Sequence, residues 1–259
     1  MRILFLGDIV GKPGRRAVVQ AIQAVRQELA LDLVLANAEN ASGGLGLVPK
    51  NARQLHEAGI DILTSGNHIW KHKEIYSFLE TTPWLLRPAN ESPAAPGKGF
   101  GLFAFGGIQV AVINLLGRTF MKPADCPFRS ADAILQELQG RADIVLVDFH
   151  AEATSEKKAL GYYLDGRISC LLGTHTHVQT SDPQILDKSS GYMTDIGMCG
   201  PYRSVLGMDP DVVQKGFVQG LPQRFALASG RVLLQGALLD IDERKGTTRS
   251  VQAWQRWSE

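Results

Sequence analysis

Cysteine is scarce: three residues, Cys126, Cys170 and Cys199, in a chain of 259. They are odd in number, far apart and outside any Cys-x-x-Cys pattern, which argues against a secreted disulfide framework. Cys170 sits inside an apolar run and reads as a small core residue. A surplus of charge of one sign is also missing. The net charge of +1 leaves no electrostatic footprint for long nucleic acid, although a small phosphorylated ligand remains compatible with it. No apolar stretch reaches the roughly 18 residues of a membrane span, and no repeat, charge block or Pro/Ser-rich linker divides the chain. The expectations are a single domain over residues 1–259, no membrane partner and a cytoplasmic location. Residues 88–101, with Pro93, Pro96, Gly97 and Gly99, come nearest to a linker and read as a loop.

What the chain does have is a series of short runs rich in Val, Ile and Leu, each followed by a polar group. Ile3-Leu4-Phe5-Leu6 leads to Asp8, and Leu33-Val34-Leu35-Ala36 leads to Glu39. Ile60-Asp61-Ile62-Leu63 leads to Asn67, Ile144-Val145-Leu146-Val147 to His150, and Ile168-Ser169-Cys170-Leu171-Leu172 to His175. Such runs fit strands buried on both faces, so each polar group falls at the carboxyl end of a strand, the edge where open α/β sheets bind ligands.

Helical stripes lie between them. Val18, Ala21, Ile22, Val25 and Leu29 repeat at three- and four-residue intervals behind Pro13 and Gly14. Ala52, Leu55 and Ala58 mark a second helix closed by Gly59. Ile75, Phe78 and Leu79 mark a third, and Ile134, Leu135 and Leu138 a fourth closed by Gly140. From Phe100 onward, Phe103, Phe105, Val110, Val112 and Ile113 flank Gly106-Gly107, which predicts a hairpin. Residues 225–257 also read as strands, with Ser229-Gly230 between two apolar runs and Val251, Ala253 and Trp257 alternating with polar residues. The pattern is α/β, a layered β-sandwich flanked by helices.

Taken singly, each polar residue has a structural reading: His150 as a hydrogen-bonded strand end, Glu39 as a surface carboxylate, Asp8 as a helix or turn cap. None of these explains why five strands all end in groups able to bind metal. His175 and His177, two apart in Gly173-Thr174-His175-Thr176-His177, can turn toward a shared centre. The run Gly7-Asp8-Ile9-Val10-Gly11-Lys12 is one residue short of a phosphate-binding loop, and Pro13 replaces the magnesium-binding hydroxyl. His56 and His72 fall on helical segments as packed or solvated residues. Residues 191–207, with Tyr192, Met193, Tyr202 and Arg203, read either as an ordinary loop or as a wall with an aromatic for base stacking.

Gly7-Asp8, Gly66-Asn67-His68, His150 and Gly173-Thr174-His175-Thr176-His177 resemble the ordered motifs of the calcineurin-like metallophosphoesterases. Two departures stand out. Asp8 is followed by Ile9-Val10 where Asp-x-His is usual, and Asn37-Ala38-Glu39-Asn40 stands where a Gly-Asp motif is usual. These departures, the opening segment to Gly11 and Thr194-Asp195-Ile196-Gly197-Met198 are similar to the bacterial YmdB-like branch.

The resemblance implies two metal ions, iron foremost with manganese or zinc as alternatives, and hydrolysis of 2′,3′-cyclic nucleotides. It implies that Asp8, Asn40 and His177 hold one metal, Asn67, His150 and His175 the other, and that Glu39 bridges them. Asn40 would replace the missing first-motif histidine. The donor mixture suits Fe, Mn or Zn and not a thiolate site. Two metals about 3.5 to 4 Å apart can convert a bridging water to hydroxide and neutralise phosphoryl oxygens. His68 would protonate the leaving ribose oxygen; its alternative is to orient a ligand or bound phosphate. A broader phosphomonoesterase or nuclease activity, or a metal-stabilised nucleotide-binding regulator, stays open beside this, as does a homo-oligomer.

Overall fold

Period-two alternation along the apolar strands sorts their side chains into layers. In the computed structural model, which describes residues 1–258, the first strands are β1 (Arg2–Leu6), β2 (Asp8–Ile9), β3 (Leu33–Asn37) and β4 (Ile62–Thr64). They are followed by β5 (Phe100–Phe105), β6 (Ile108–Leu116), β7 (Ile144–His150), β8 (Cys170–Thr174) and β9 (Gln184–Ile185). The last are β10 (Gly191–Met193), β11 (Met198–Pro201), β12 (Val232–Asp242) and β13 (Thr247–Trp257). The helices are α1 (Gly11–Glu28), α2 (Pro49–Glu57), α3 (Ile75–Thr81), α4 (Pro127–Leu138), α5 (Thr154–Leu164) and α6 (Pro210–Gln219). One sheet runs β2-β11-β12-β1-β3-β4 with β13 beside β12; the other runs β5-β6-β7-β8-β10-β9.

Ile3, Phe5, Leu33, Leu35 and Ile62 of the first sheet meet Val110, Val112, Ile144, Leu146 and Leu172 of the second in one core. Their neighbours face outward. Leu4, Leu6, Val34 and Ala36 pack under Val18, Ile22 and Val25 of α1 and Leu55 of α2. Ala111, Ile113, Val147 and Phe149 pack under Ala131 and Ile134 of α4 and Leu160 of α5. The result is helices, sheet, sheet, helices: the layered sandwich expected from the sequence. The parallel pairings β1 with β3, β3 with β4, β6 with β7, and β7 with β8 bring the carboxyl ends of six strands to one edge.

Several expectations shift. The first helix begins at Gly11, ahead of Pro13, because Gly11 takes a left-handed φ of 62° and donates its N–H to the Asn40 carbonyl at 2.8 Å. Ser229-Gly230 does not separate two strands. The preceding run makes only one bridge, Met208 to Leu227, and Leu227 instead covers Gly11 and Gly44. The true hairpin joins β12 to β13 through residues 243–246, where Asp242 accepts the N–H groups of Arg244 and Lys245 and Gly246 is left-handed. Residues 191–207 are not simply a loop, since β10 and β11 lie in them. Tyr192 is buried and offers no stacking face, while Tyr202 is exposed and packs edge-on against Trp257. Helices α5 and α6 lacked a sequence prediction.

Among the described residues, no helix is long and apolar enough to cross a membrane. Leu35, fully buried between the sheets, measures the strength of that layer. Leu35→Ala is expected to lower unfolding free energy by about 2 to 5 kcal/mol in urea titration, and a change under about 1 kcal/mol would contradict the inter-sheet assignment.

Candidate metal centre

Five strands turn polar at or near their carboxyl ends. On the inter-sheet face, β3 reads Leu33, Leu35, Asn37; β4 reads Ile62, Thr64; β6 reads Val110, Val112, Asn114; β7 reads Ile144, Leu146, Asp148, His150; and β8 reads Cys170, Leu172, Thr174. Asn37, Thr64, Asn114, Asp148 and Thr174 are all fully buried and form a polar floor above the apolar core. Asp148 is its centre. Its carboxylate accepts from Asn37 Nδ2 at 3.0 Å, Thr64 Oγ1 at 2.5 Å and Thr174 Oγ1 at 2.7 Å. Burial pushes its pKa up to about 6, against the charge of His150 and these hydrogen bonds.

The proposed ligands stand on this floor. Asp8 is the first residue of β2; Glu39 and Asn40 follow β3, Asn67 and His68 follow β4, His150 ends β7, and His175 and His177 follow β8. One oxygen, Glu39 Oε1, lies 3.0 Å from Asn40 Nδ2, 3.0 Å from His68 Nδ1 and 3.2 Å from His150 Nε2. His150 Nε2 is in turn 3.1 Å from Asn67 Oδ1 and 3.0 Å from His175 Nδ1. On the other side, His177 Nε2 lies 3.7 Å from Asp8 Oδ1 and 3.3 Å from Asn40 Nδ2. All seven expected ligands and His68 are therefore brought together. Gly66 makes the approach possible: a Cβ there would strike the His150 ring and Glu39.

The second nitrogen of each imidazole is already engaged. His150 Nδ1 meets Thr174 Oγ1 at 2.9 Å, and that hydroxyl spends its hydrogen on Asp148, so His150 Nδ1 is the donor. His177 Nδ1 donates to the Leu206 carbonyl at 3.1 Å, and His175 Nε2 faces Glu152 at 3.1 Å. What remains for a metal is His150 Nε2, His175 Nδ1 and His177 Nε2. His175 and His177 hold φ angles of 100° and 63°, costly for residues with a side chain. The loop is held by Asp8 Oδ2, which accepts the His175 N–H at 3.0 Å, and by Asp195 Oδ2, which accepts the Thr176 N–H at 3.1 Å.

The electrostatics call for a cation. Asp8 and Glu39 are both fully buried, and Asp8 Oδ1 has no hydrogen-bond partner. Burial raises the Asp8 pKa in spite of His177 and His150. Burial also opposes charge on Glu39, but the His150 and His68 imidazoles outweigh it and hold that carboxyl well below the usual range. Burial alone would lower His150, yet Glu39 foremost raises it to about 9. Burial, then the neighbouring His150 charge, takes His175 down to about 3. Without a metal, a proton on His150 is thus the positive charge among the acceptors Glu39, Asn67 and His175, the place a divalent ion would take. The residues fit a metal site, and Glu39, His150 and His175 offer donor atoms within 4.8 Å of one another. One detail differs from simple ligation: Asn40 presents its amide nitrogen to Glu39 and His177 and its oxygen to His68. Binding through oxygen requires the carboxamide to turn over.

Sequence reasoning missed the supports. Asp148 is a charged residue inside an apolar strand, a readable sign. Lys157, on the unpredicted α5, left no such sign. It is fully buried, 2.7 Å from Asp195, whose carboxylate also accepts from Thr176 N–H and from Gly197 N–H. Gly197 passes the restraint on by accepting the Asp8 N–H at 3.1 Å. His56 and His72 are packed as expected, though His72 follows a one-turn 3-10 helix, Ile69–Lys71; they bond the carbonyls of Ile60 and Leu45.

The two packed sheets with their flanking helices have the calcineurin-like phosphoesterase fold. The same fold is seen in a calcineurin-like phosphoesterase of Bacillus subtilis, with a TM-score of 0.58 at 12% identity, covering 100% of this chain and 90% of that one. The chain belongs to the YmdB-like protein family, whose model matches residues 4–254. It is 48% identical over 244 residues to a 2′,3′-cyclic-nucleotide 2′-phosphodiesterase of Bacillus subtilis, covering 94% of this chain and 92% of that protein. The crystal structure of a hypothetical protein from Thermus thermophilus superposes with a TM-score of 0.94 at 43% identity, covering 100% of both chains.

Lys157→Met leaves the Asp195 charge buried without its partner. The expected outcome is a stability loss of about 3 to 5 kcal/mol and reduced metal retention after dialysis, with stability partly recovered in Lys157→Met/Asp195→Asn. Full metal content and an unchanged unfolding midpoint in the single variant would show that the pair does not hold the loop.

Proposed function

We propose that this chain is a dinuclear metal-dependent phosphodiesterase that cleaves the 2′ bond of 2′,3′-cyclic nucleotides and releases 3′-nucleotides. The observation that carries the reading is the position of Glu39. Its Oε1 touches Asn40, which adjoins His177 and through it Asp8, and also His150, which adjoins Asn67 and His175. Two donor groups thus share one carboxylate, the arrangement expected if Asp8, Asn40 and His177 hold one metal, Asn67, His150 and His175 the other, and Glu39 bridges. The nitrogen and oxygen donors suit iron, manganese or zinc, and the family resemblance puts iron first. The relative's activity supports the substrate class. Residues 1–259 are read as one metallophosphoesterase domain because both sheets supply donors to the same centre.

Bound metals in such a site neutralise phosphoryl oxygens and acidify the attacking water. The protein supplies the proton for the leaving group. His68 Nδ1 is turned to Glu39 and its backbone N–H to Glu39 Oε2 at 2.8 Å, which fixes the ring and leaves Nε2 for the substrate. The side chain is 34% exposed, unlike the fully buried His150. As the water oxygen bonds to phosphorus, the P–O2′ bond breaks and O2′ takes a proton from His68; the phosphate stays on O3′.

Phosphorus NMR of 2′,3′-cyclic AMP with metal-loaded protein is expected to show conversion to 3′-AMP that stops when metal is stripped. Release of 2′-AMP, or conversion without metal, would overturn the proposal. His68→Ala is expected to lower kcat by about 10² to 10⁴ with metal content retained; turnover at the wild-type rate would remove His68 from the chemistry.

A further inference from the structure

A cleft of about 490 Å³ opens beside the one-turn helix that follows His68, lined in part by Trp70, Asn90, Glu91, Ser92, Pro123 and Asp125. Its position follows from the chain. Trp70 lies on the one-turn helix that begins directly after His68. The opposite wall belongs to the segment leaving β6 at Leu116, the residue in register with His150. Asn90 closes the base of that segment. Its Nδ2 donates to the carbonyls of Leu116 at 2.7 Å and Asp125 at 2.9 Å, and its Oδ1 accepts the Leu116 N–H at 2.7 Å. The cleft is therefore built, flanked by the segment that carries Asn67-His68 and fastened to the end of β6, beside His150 of β7.

Glu91 is its chemical feature. Both carboxylate oxygens accept from the single Trp70 Nε1–H, at 3.0 and 2.9 Å. A carboxylate has about four acceptor positions, so most of its capacity is unspent. Among the described residues Glu91 makes no ion pair. Arg87 and Lys122 are the cations whose charge reaches it; Arg87 Nη1 and Nη2 donate to the carbonyls of Pro88 and Ala95, and Lys122 forms no ion pair with it. Burial raises the Glu91 pKa, and the charge of Glu39 adds to it, which puts this carboxylate within electrostatic reach of the metal centre. A half-buried acceptor without an ion-paired cation, next to an indole wall, suits a flat ligand edge with two adjacent N–H donors.

We propose that this cleft is the base-binding subsite of the active centre, and that Glu91 selects guanine over uracil. Guanine offers N1–H and the 2-amino group side by side to the two carboxylate oxygens; uracil offers one N–H between two carbonyl oxygens that the carboxylate repels. The inference rests on the cyclic-nucleotide reading above, with the phosphate at the Glu39 and His68 end and the base toward Glu91.

The test compares kcat/KM for 2′,3′-cyclic GMP and 2′,3′-cyclic UMP in the wild-type metal-loaded protein and in Glu91→Gln, with bis(p-nitrophenyl) phosphate as a diester that carries no base. A preference for the guanine nucleotide of about tenfold or more, falling below about threefold in Glu91→Gln, is expected from a two-hydrogen-bond readout. A wild-type ratio near one, or a ratio that Glu91→Gln leaves in place, overturns the subsite. If only bis(p-nitrophenyl) phosphate is hydrolysed, the cyclic-nucleotide reading fails by itself, and the subsite is judged by inhibition of that reaction. Tighter inhibition by 3′-GMP than by 3′-UMP, lost in Glu91→Gln, supports it; equal inhibition overturns it. Should Glu91→Gln fail to fold, Trp70→Phe removes the N–H that holds Glu91 and keeps an aromatic wall. A shift in the same ratio supports the subsite, and an unshifted ratio overturns it.

Discussion

The three hydrogen bonds converging on Asp148 set the terms for everything above them. Asn37 comes from β3, Thr64 from β4 and Thr174 from β8, while Asp148 itself lies on β7. One buried carboxylate thus ties the first sheet to the second at the level where the apolar core ends. Burying such a group is costly unless its acceptor sites are filled, so the two sheets can meet here only in a register that brings Asn37 and Thr64 to the carboxylate that Thr174, in Asp148's own sheet, already meets. The same contacts reach the chemistry through Thr174, which receives the His150 Nδ1–H and leaves Nε2 facing Glu39. Packing, register and tautomer are one constraint.

A second buried carboxylate is handled differently. Asp195 has a cation of its own in Lys157, and this pair fastens the loop that carries His175 and His177. Asp8 and Glu39 have no lysine or arginine beside them, only imidazoles. The distinction separates structure from function: where a buried charge is matched by a fixed side chain it builds the scaffold, and where it is left to protonatable ligands it makes a site for an exchangeable cation. The strained backbone at His175 and His177 belongs with this division, since the left-handed turns persist because Asp8 and Asp195 hold the adjacent N–H groups.

The parts of this architecture legible in the sequence were those governed by local periodicity. Runs such as Leu33-Val34-Leu35-Ala36 announce a buried strand by composition alone, and the polar residue that follows is then placed at the sheet edge by geometry. This is why Asp8, Glu39, Asn67, His150 and His175 could be read as a set. The supports were not legible because their meaning depends on partners far along the chain: Lys157 sits on a helix whose amphipathic pattern is weak, and its reason for burial is Asp195, 38 residues away. The hairpin after β12 was misplaced for a related reason. Ser229-Gly230 is a good turn signal, but whether a turn joins two strands depends on the pairing of the flanking runs, and Leu227 is spent on covering glycines of the first sheet's loops.

The origin of the donors explains why fold and activity cannot be adjusted independently. Asp8, Glu39, Asn40 and Asn67 all come from strands of the first sheet, and His150, His175 and His177 all come from the second. The centre is complete only where the two sheets meet, so its dimensions are set by the thickness of the apolar layer below. A change in the volume of Leu35, Val112 or Leu146 moves one set of ligands relative to the other, because close-packed interiors pass displacement on and do not absorb it. The polar floor limits that movement: as long as Asp148 keeps its donors from both sheets, the sheets cannot slide without breaking a buried hydrogen bond. Precision at the metal centre is therefore a property of the sandwich interface, to which no single loop is sufficient.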